Sequence, residues 1–239
     1  MSYPARALAA IAMTAALLGA DLARGADAAA SASVRGSVEL LRRKLLGGIG
    51  PSDDRSGVVV YVTGFQRDAP GEVALLAQHD KQFVPRVLPI VRGQTVHFPN
   101  EDDIYHNVFS VSPLASFDLG QYKASDAPRS VGFERAGLVP IYCNIHPQML
   151  SYVVVLENDA YALTTPDGRF AIDGLPADSD LVLNAWIPGA QRVSEPLRLA
   201  AGETREVELR VEQSQRVAPH RRKDGSAYPR KRGPGYGGD

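Results

Sequence analysis

From Val58 onward the chain never settles into a helical period. Its apolar residues come instead in short β-branched or alternating runs cut by turn residues. Val58-Val59-Val60-Tyr61-Val62 is a β-branched run that stops at Gly64, the profile of a buried strand. Similar candidates follow at 73–77, 86–91, 95–98, 107–111, 129–133, 137–142 and 152–157. Turn residues such as Arg92-Gly93, Pro99-Asn100-Glu101-Asp102-Asp103 and Ala136-Gly137 separate them. A second group at 161–164, 169–172, 181–186, 194–199 and 203–211 is punctuated by Pro166-Asp167-Gly168 and Ala201-Gly202, both hairpin-type turns. Short strands at this spacing predict an all-β protein of sandwiches or barrels.

Upstream, Ser31 to Glu39 alternates weakly and reads as a strand. Leu40 to Leu46 is mixed apolar and basic, and Gly47-Gly48-Ile49-Gly50-Pro51 breaks the pattern. The first 28 residues have the layout of a secretory signal peptide: Arg6, then the apolar run Ala7 to Gly19, then Ala26-Asp27-Ala28 as a small-residue cleavage site. That run is shorter than the roughly 20 residues a membrane-spanning helix needs. Export to the periplasm is therefore expected, with no transmembrane segment after cleavage. A formal net charge of -1 over 239 residues argues against a nucleic-acid partner. Residues 213–239 lose apolar pattern and collect basic residues with Gly and Pro, which predicts a disordered basic tail.

Cys143 is the single cysteine, so no intrachain disulfide is possible. An unpaired thiol in an oxidising compartment is a liability unless it is buried or ligated. The residues after it supply ligands: Tyr142-Cys143-Asn144-Ile145-His146-Pro147-Gln148-Met149 places an imidazole and a thioether on the tight loop that follows a strand. His106, entering the strand that runs on through Asn107-Val108-Phe109, offers a second imidazole. Two imidazoles, a thiolate and a weak thioether match a type 1 (blue) copper site. Zinc fits less well, because thioether is a poor zinc ligand and structural zinc prefers several thiolates. A Cys143–His146 nucleophile and base pair is the enzymatic alternative, but it has no orienting acid nearby and leaves Met149 unused.

These residues resemble the cupredoxins, the plastocyanin and amicyanin superfamily. The likeness runs from about Val73 to Glu157. It rests on Phe83-Val84-Pro85, Leu88 to Val91, Gly93 and Val96 to Asn100, on His106-Asn107, and on Cys143-x-x-His146-x-x-Met149. In overall layout the chain is similar to exported plastocyanin-like proteins labelled methylamine-utilisation proteins. The resemblance implies a Greek-key sandwich over residues 70–157, with one copper ion at one end held by His106, Cys143, His146 and Met149. It also implies hydrogen bonds around the thiolate from the region of Asn107 and Asn144. Residues 158–212 resemble a carboxypeptidase-regulatory-like, transthyretin-type β module, which is short of strands. The expectation is that strands within 32–66 complete it and make the copper segment an insertion.

Function follows the resemblance: a non-enzymatic, exported carrier of single electrons between protein redox partners, with copper storage or delivery as the alternative. His146, framed by Pro147, Gln148 and Leu150, is the expected exit for the electron. His97, facing along a sheet, is set aside as a ligand. His79 and His220 are read as solvated, and Trp186 as core of the second module. The acidic turn Glu101-Asp102-Asp103 is a candidate for steering a basic partner.

Overall fold

The structure is a computed structural model that describes residues 31–44, 47–214, 220, 222–224 and 226. The signal-peptide reading of residues 1–28 and most of the basic tail lie outside the described residues. Within them the protein is all-β, and no helix is long and apolar enough to cross a membrane.

Three strands precede the middle segment: β1 (Ser31–Arg43), β2 (Ile49–Pro51) and β3 (Val59–Thr63). That segment contributes β4 (Ala74–Leu75), β5 (Ala77–His79), β6 (Gln82–Val84), β7 (Val87–Val91), β8 (Thr95–Phe98) and β9 (His106–Ser112), then β10 (Ala115–Tyr122), β11 (Arg129–Gly132), β12 (Gly137–Cys143) and β13 (Leu150–Leu156). The chain closes with β14 (Tyr161–Leu163), β15 (Arg169–Pro176), β16 (Leu181–Trp186), β17 (Val193–Leu197) and β18 (Thr204–Gln213).

Strand pairing joins the two ends of the chain. β1 lies between β15 and β18, antiparallel to the first and parallel to the second from Ser33↔Thr204 to Arg42↔Gln213. β3 lies between β14 and β16, in a sheet that β17 extends. Val34, Val38, Leu40, Val58, Val60 and Val62 from the N-terminal strands enter one apolar core with Ile172, Leu183 and Leu209 from the C-terminal group. Alternation explains why β1 runs past Glu39. Val34, Val38 and Leu40 share one face at a spacing of two and are fully buried, so the stretch read as a mixed segment from Leu40 continues the strand through Arg43.

The middle segment forms its own sandwich. One face is the five-stranded sheet β10-β9-β12-β13-β7, and the other is β11-β8-β4 with the β5–β6 hairpin beside it. Phe98, Tyr122, Phe133, Ile141 and Val153 fill the space between, together with Cys143 and Met149. β10 has no counterpart among the strands expected from sequence. Its burial alternates only weakly, and its register with β9 shifts between Asp118 and Gln121, next to Gly120 with φ +68°.

A third, smaller cluster welds the two sandwiches together. Val59 and Tyr61 of β3 pack with Val87, Val154 and Leu156, and Trp186 stands edge-on to Tyr152 with ring centroids 5.7 Å apart. The outer face of each central sheet is thus buried against the other, and the loop 144–149 is held on a stacked β framework. Trp186 is only half-buried and sits at this junction rather than inside the flanking core.

Candidate metal centre

His106 meets the sequence-distant Cys143 and His146 because β9 and β12 are antiparallel neighbours. Cys143 pairs with Val108 and Tyr142 with Phe109, which puts the last residue of β12 beside the first of β9, His106. The loop 144–149 then turns back tightly. Met149 N–H donates to the His146 carbonyl at 3.0 Å, and Leu150 pairs with Tyr142 as β13 begins. Pro147, which has no N–H, costs the turn no donor.

Nδ1 of His106 lies 3.0 Å from Nδ1 of His146, and each is 3.9 Å from Cys143 Sγ. The point equidistant from all three corners of that triangle is about 2.1 Å from each, close to metal–imidazole (about 2.0–2.1 Å) and metal–thiolate (about 2.3 Å) bond lengths. His106, Cys143 and His146 would therefore be able to hold one ion between them, and two imidazoles with one sulfur are the donors of a His2Cys site. The donor set fits copper on its chemistry as well: one thiolate and two imidazoles in an apolar surround. His106 and Cys143 are fully buried. Met149 is 1 % exposed and packs in the same apolar cluster as Cys143. His146 is half-buried, and Ile145, Pro147 and Gln148 beside it are exposed.

His106 is fixed from behind by a residue that the sequence offered only as a steering charge. Asp102 Oδ2 lies 2.7 Å from His106 Nε2, so that nitrogen carries the proton and Nδ1 presents its lone pair to Cys143 and His146. The same carboxylate accepts the backbone N–H groups of Asp80 at 2.8 Å and Lys81 at 3.0 Å, the turn of the β5–β6 hairpin. Both turn residues have positive φ (50° and 56°), the conformation of a two-residue hairpin turn. Burial pushes the Asp102 carboxyl up, but the bonds from Lys81, His106 and Asp80 outweigh it and hold its pKa below the ordinary value. Asn100 shapes the preceding loop, accepting the Asp102 N–H and donating to the carbonyls of Ile104 and Tyr122.

At His146 burial is the main cause lowering the imidazole pKa, followed by His106 and Lys81, with Asp102 opposing. The effect favours the neutral, ligating form.

The Asn107 side-chain amide donates to Asp118 Oδ1 at 2.7 Å and to the Gly120 carbonyl at 2.8 Å, tying β9 to the irregular part of β10. Asn144 is exposed in the ligand loop. His97 stands on β8 in the opposite sheet. His79 is exposed, 3.4 Å from Glu101. His220 is not free in solvent as expected: its ring meets Tyr142 and Phe109 edge-on, at centroid distances of 4.9 and 6.2 Å, on the outer face of the sheet that carries Cys143. Lys223 bonds Asp118 at 2.6 Å nearby.

No family model matches the chain, and no curated relative matches it. Among solved structures it is similar to a purple cupredoxin from Nitrosopumilus maritimus, at 24% identity over 35% of this chain and 99% of that one, with TM-score 0.32. Amicyanin from Paracoccus versutus is 20% identical over 40% of this chain and 98% of its own, with TM-score 0.33. A Cu-containing nitrite reductase from Thermus scotoductus is 26% identical over 36% of this chain and 23% of its own, with TM-score 0.34.

Proposed function

We propose that the chain is an exported, non-enzymatic type 1 copper protein that carries single electrons between protein partners. The observation that carries this reading is the donor triangle of His106, Cys143 and His146, whose edges suit a trigonal ion and whose thiolate corner is fully buried. Copper, when bound, would supply the one-electron couple. The chain's own residues do the rest. Asp102 holds the Nε2 proton of His106 and keeps Nδ1 pointed at the site. The apolar wall around Cys143 and Met149 excludes water from the thiolate. Met149, buried in the same cluster as Cys143, would offer its thioether as the weak fourth donor.

A framework of paired strands holds the donors in one arrangement, so little has to move when charge at the site changes. The half-buried edge of His146, among exposed Ile145, Pro147 and Gln148, is the natural contact for a redox partner. The flanking sandwich, with its resemblance to carboxypeptidase-regulatory-like modules, is assigned a structural or binding part, and the metal-bearing segment is assigned as an insertion within it. The pairing of β1 and β3 with C-terminal strands supports that division.

The test is to add Cu(II) to the purified protein and record visible and paramagnetic-resonance spectra. An intense thiolate-to-copper band with a narrow copper hyperfine splitting is expected. A featureless spectrum would end this reading. A blue protein with slow electron self-exchange and easy copper loss would point to storage or delivery instead.

A further inference from the structure

A cavity of about 550 Å³ opens between the two sandwiches, away from the ligand loop. Its wall brings together Arg42, Asp54, Arg86, Val87, Leu163 and Ile187. Its volume is within the range of small-molecule sites, roughly 300–1,000 Å³. Arg42 comes from the end of β1 in the flanking sandwich, and Arg86 immediately precedes β7 in the metal-bearing one. The Nε of Arg42 is buried and has no hydrogen-bond partner. Neither arginine takes part in the ion pairs found among the described residues.

The carboxylate in the wall does not meet this demand. Asp54 accepts the Ser56 N–H at 2.9 Å and forms no ion pair with either arginine. Two arginines and one carboxylate therefore line the cavity, an excess of one positive charge, and the Arg42 Nε is a buried donor without a partner. Ser56 and Gln213 add polar groups to the wall, and Val87, Leu163 and Ile187 with two prolines make its apolar side. Val87 and Ile187 are each 7 % exposed, while Leu163 is 43 % exposed. Guanidinium groups are planar, weakly hydrated forks suited to carboxylates, and the adjoining apolar wall suits a hydrocarbon chain.

We infer that this cavity binds a small aliphatic carboxylate, its headgroup between Arg42 and Arg86 and its chain along Val87, Leu163 and Ile187. Because each sandwich supplies one arginine, the occupant bridges them. The inference does not depend on what the metal centre does.

The test is calorimetric titration of the purified full chain with hexanoate, hexanamide and inorganic phosphate at fixed ionic strength. Saturable one-site binding of hexanoate is expected, with hexanamide and phosphate far weaker. Arg42→Met and Arg86→Met should each weaken hexanoate by roughly tenfold to a hundredfold, the loss of one charge-assisted bond. Hexanamide or phosphate binding as tightly as hexanoate overturns the assignment, as does unchanged affinity in both arginine variants. The melting temperature without ligand reports the fold of each variant. If Arg42→Met fails to fold, Arg86→Met, at an exposed position, decides the question.

Discussion

Replacing Asp102 tests the logic of the metal centre most directly, because one carboxylate serves three donors and one of them belongs to a ligand. In Asp102→Ala, His106 Nε2 and the N–H groups of Asp80 and Lys81 lose their acceptor together. Loss of such a partner behind a metal ligand costs about 10- to 100-fold in metal affinity. Charge adds a second, separable effect. An ion bound at Nδ1 lies about 7 Å from the carboxylate, across one metal–nitrogen bond, the ring and a 2.7 Å hydrogen bond. At an effective dielectric of about 20, a unit charge at that distance is worth about 2.4 kcal/mol, or roughly 0.1 V for a one-electron couple. Removing a negative charge disfavours the oxidised ion, so the reduction potential should rise by up to that amount.

Asp102→Asn separates the two effects. It keeps an acceptor oxygen and loses the charge, so it should raise the potential while retaining more copper affinity than Asp102→Ala. The assays are copper competition against a chelator and redox titration of the visible band. If Asp102→Ala leaves both affinity and potential unchanged, the carboxylate is a bystander and the positioning argument is wrong.

Other outcomes follow from the same structure. Met149→Leu should raise the potential while copper stays bound, and complete copper loss would refute an axial role. Gly36→Ala would place a Cβ 2.0 Å from the Val207 carbonyl oxygen, so β1 and β18 must separate; a loss of about 1–3 kcal/mol in urea unfolding is expected, and an unchanged midpoint would contradict their pairing. Lys223→Ala removes an ion pair whose side chains are 40 % and 45 % exposed and should cost less than about 1 kcal/mol. Asp118→Ala also strips acceptors from Asn107 and Gly120 and should cost clearly more, so equal losses would refute that network. In the metal-free protein the His146 pKa is depressed on folding, so the unfolded chain binds more protons between its value and the ordinary one, about 6.5. Stability should thus fall as pH drops below the ordinary histidine range and level off below the folded value. His146→Gln should remove that slope, which denaturation at several pH values will show.

Much of the donor cluster was legible from local spacing alone. Cys143, His146 and Met149 sit on one strand-and-loop segment, and a lone cysteine with an imidazole and a thioether three and six residues on has few chemical uses. The strand pattern was legible too, since Val58 to Val62 and 137–142 alternate or run apolar in ways a helix would not. What escaped was whatever depends on register. β10 hides its character because a bulge beside Gly120 breaks the alternation. Asp102 looked like one acid in an exposed turn, and nothing in its neighbours announces that the β5–β6 turn and His106 converge on it. The bonds from the Asn107 amide to Asp118 and Gly120 were equally hidden, because the irregular part of β10 supplies both acceptors.

The sequence by itself determined an all-β chain and a soft donor set in its middle, because strand periodicity and ligand chemistry are written within a few residues. Only the tertiary structure brought His106 within 3.0 Å of His146, gave Asp102 its place behind His106, and set Arg42 and Arg86 on one cavity. Those juxtapositions arise from pairing between strands tens of residues apart, or from two sandwiches packing face to face, and no local pattern encodes them.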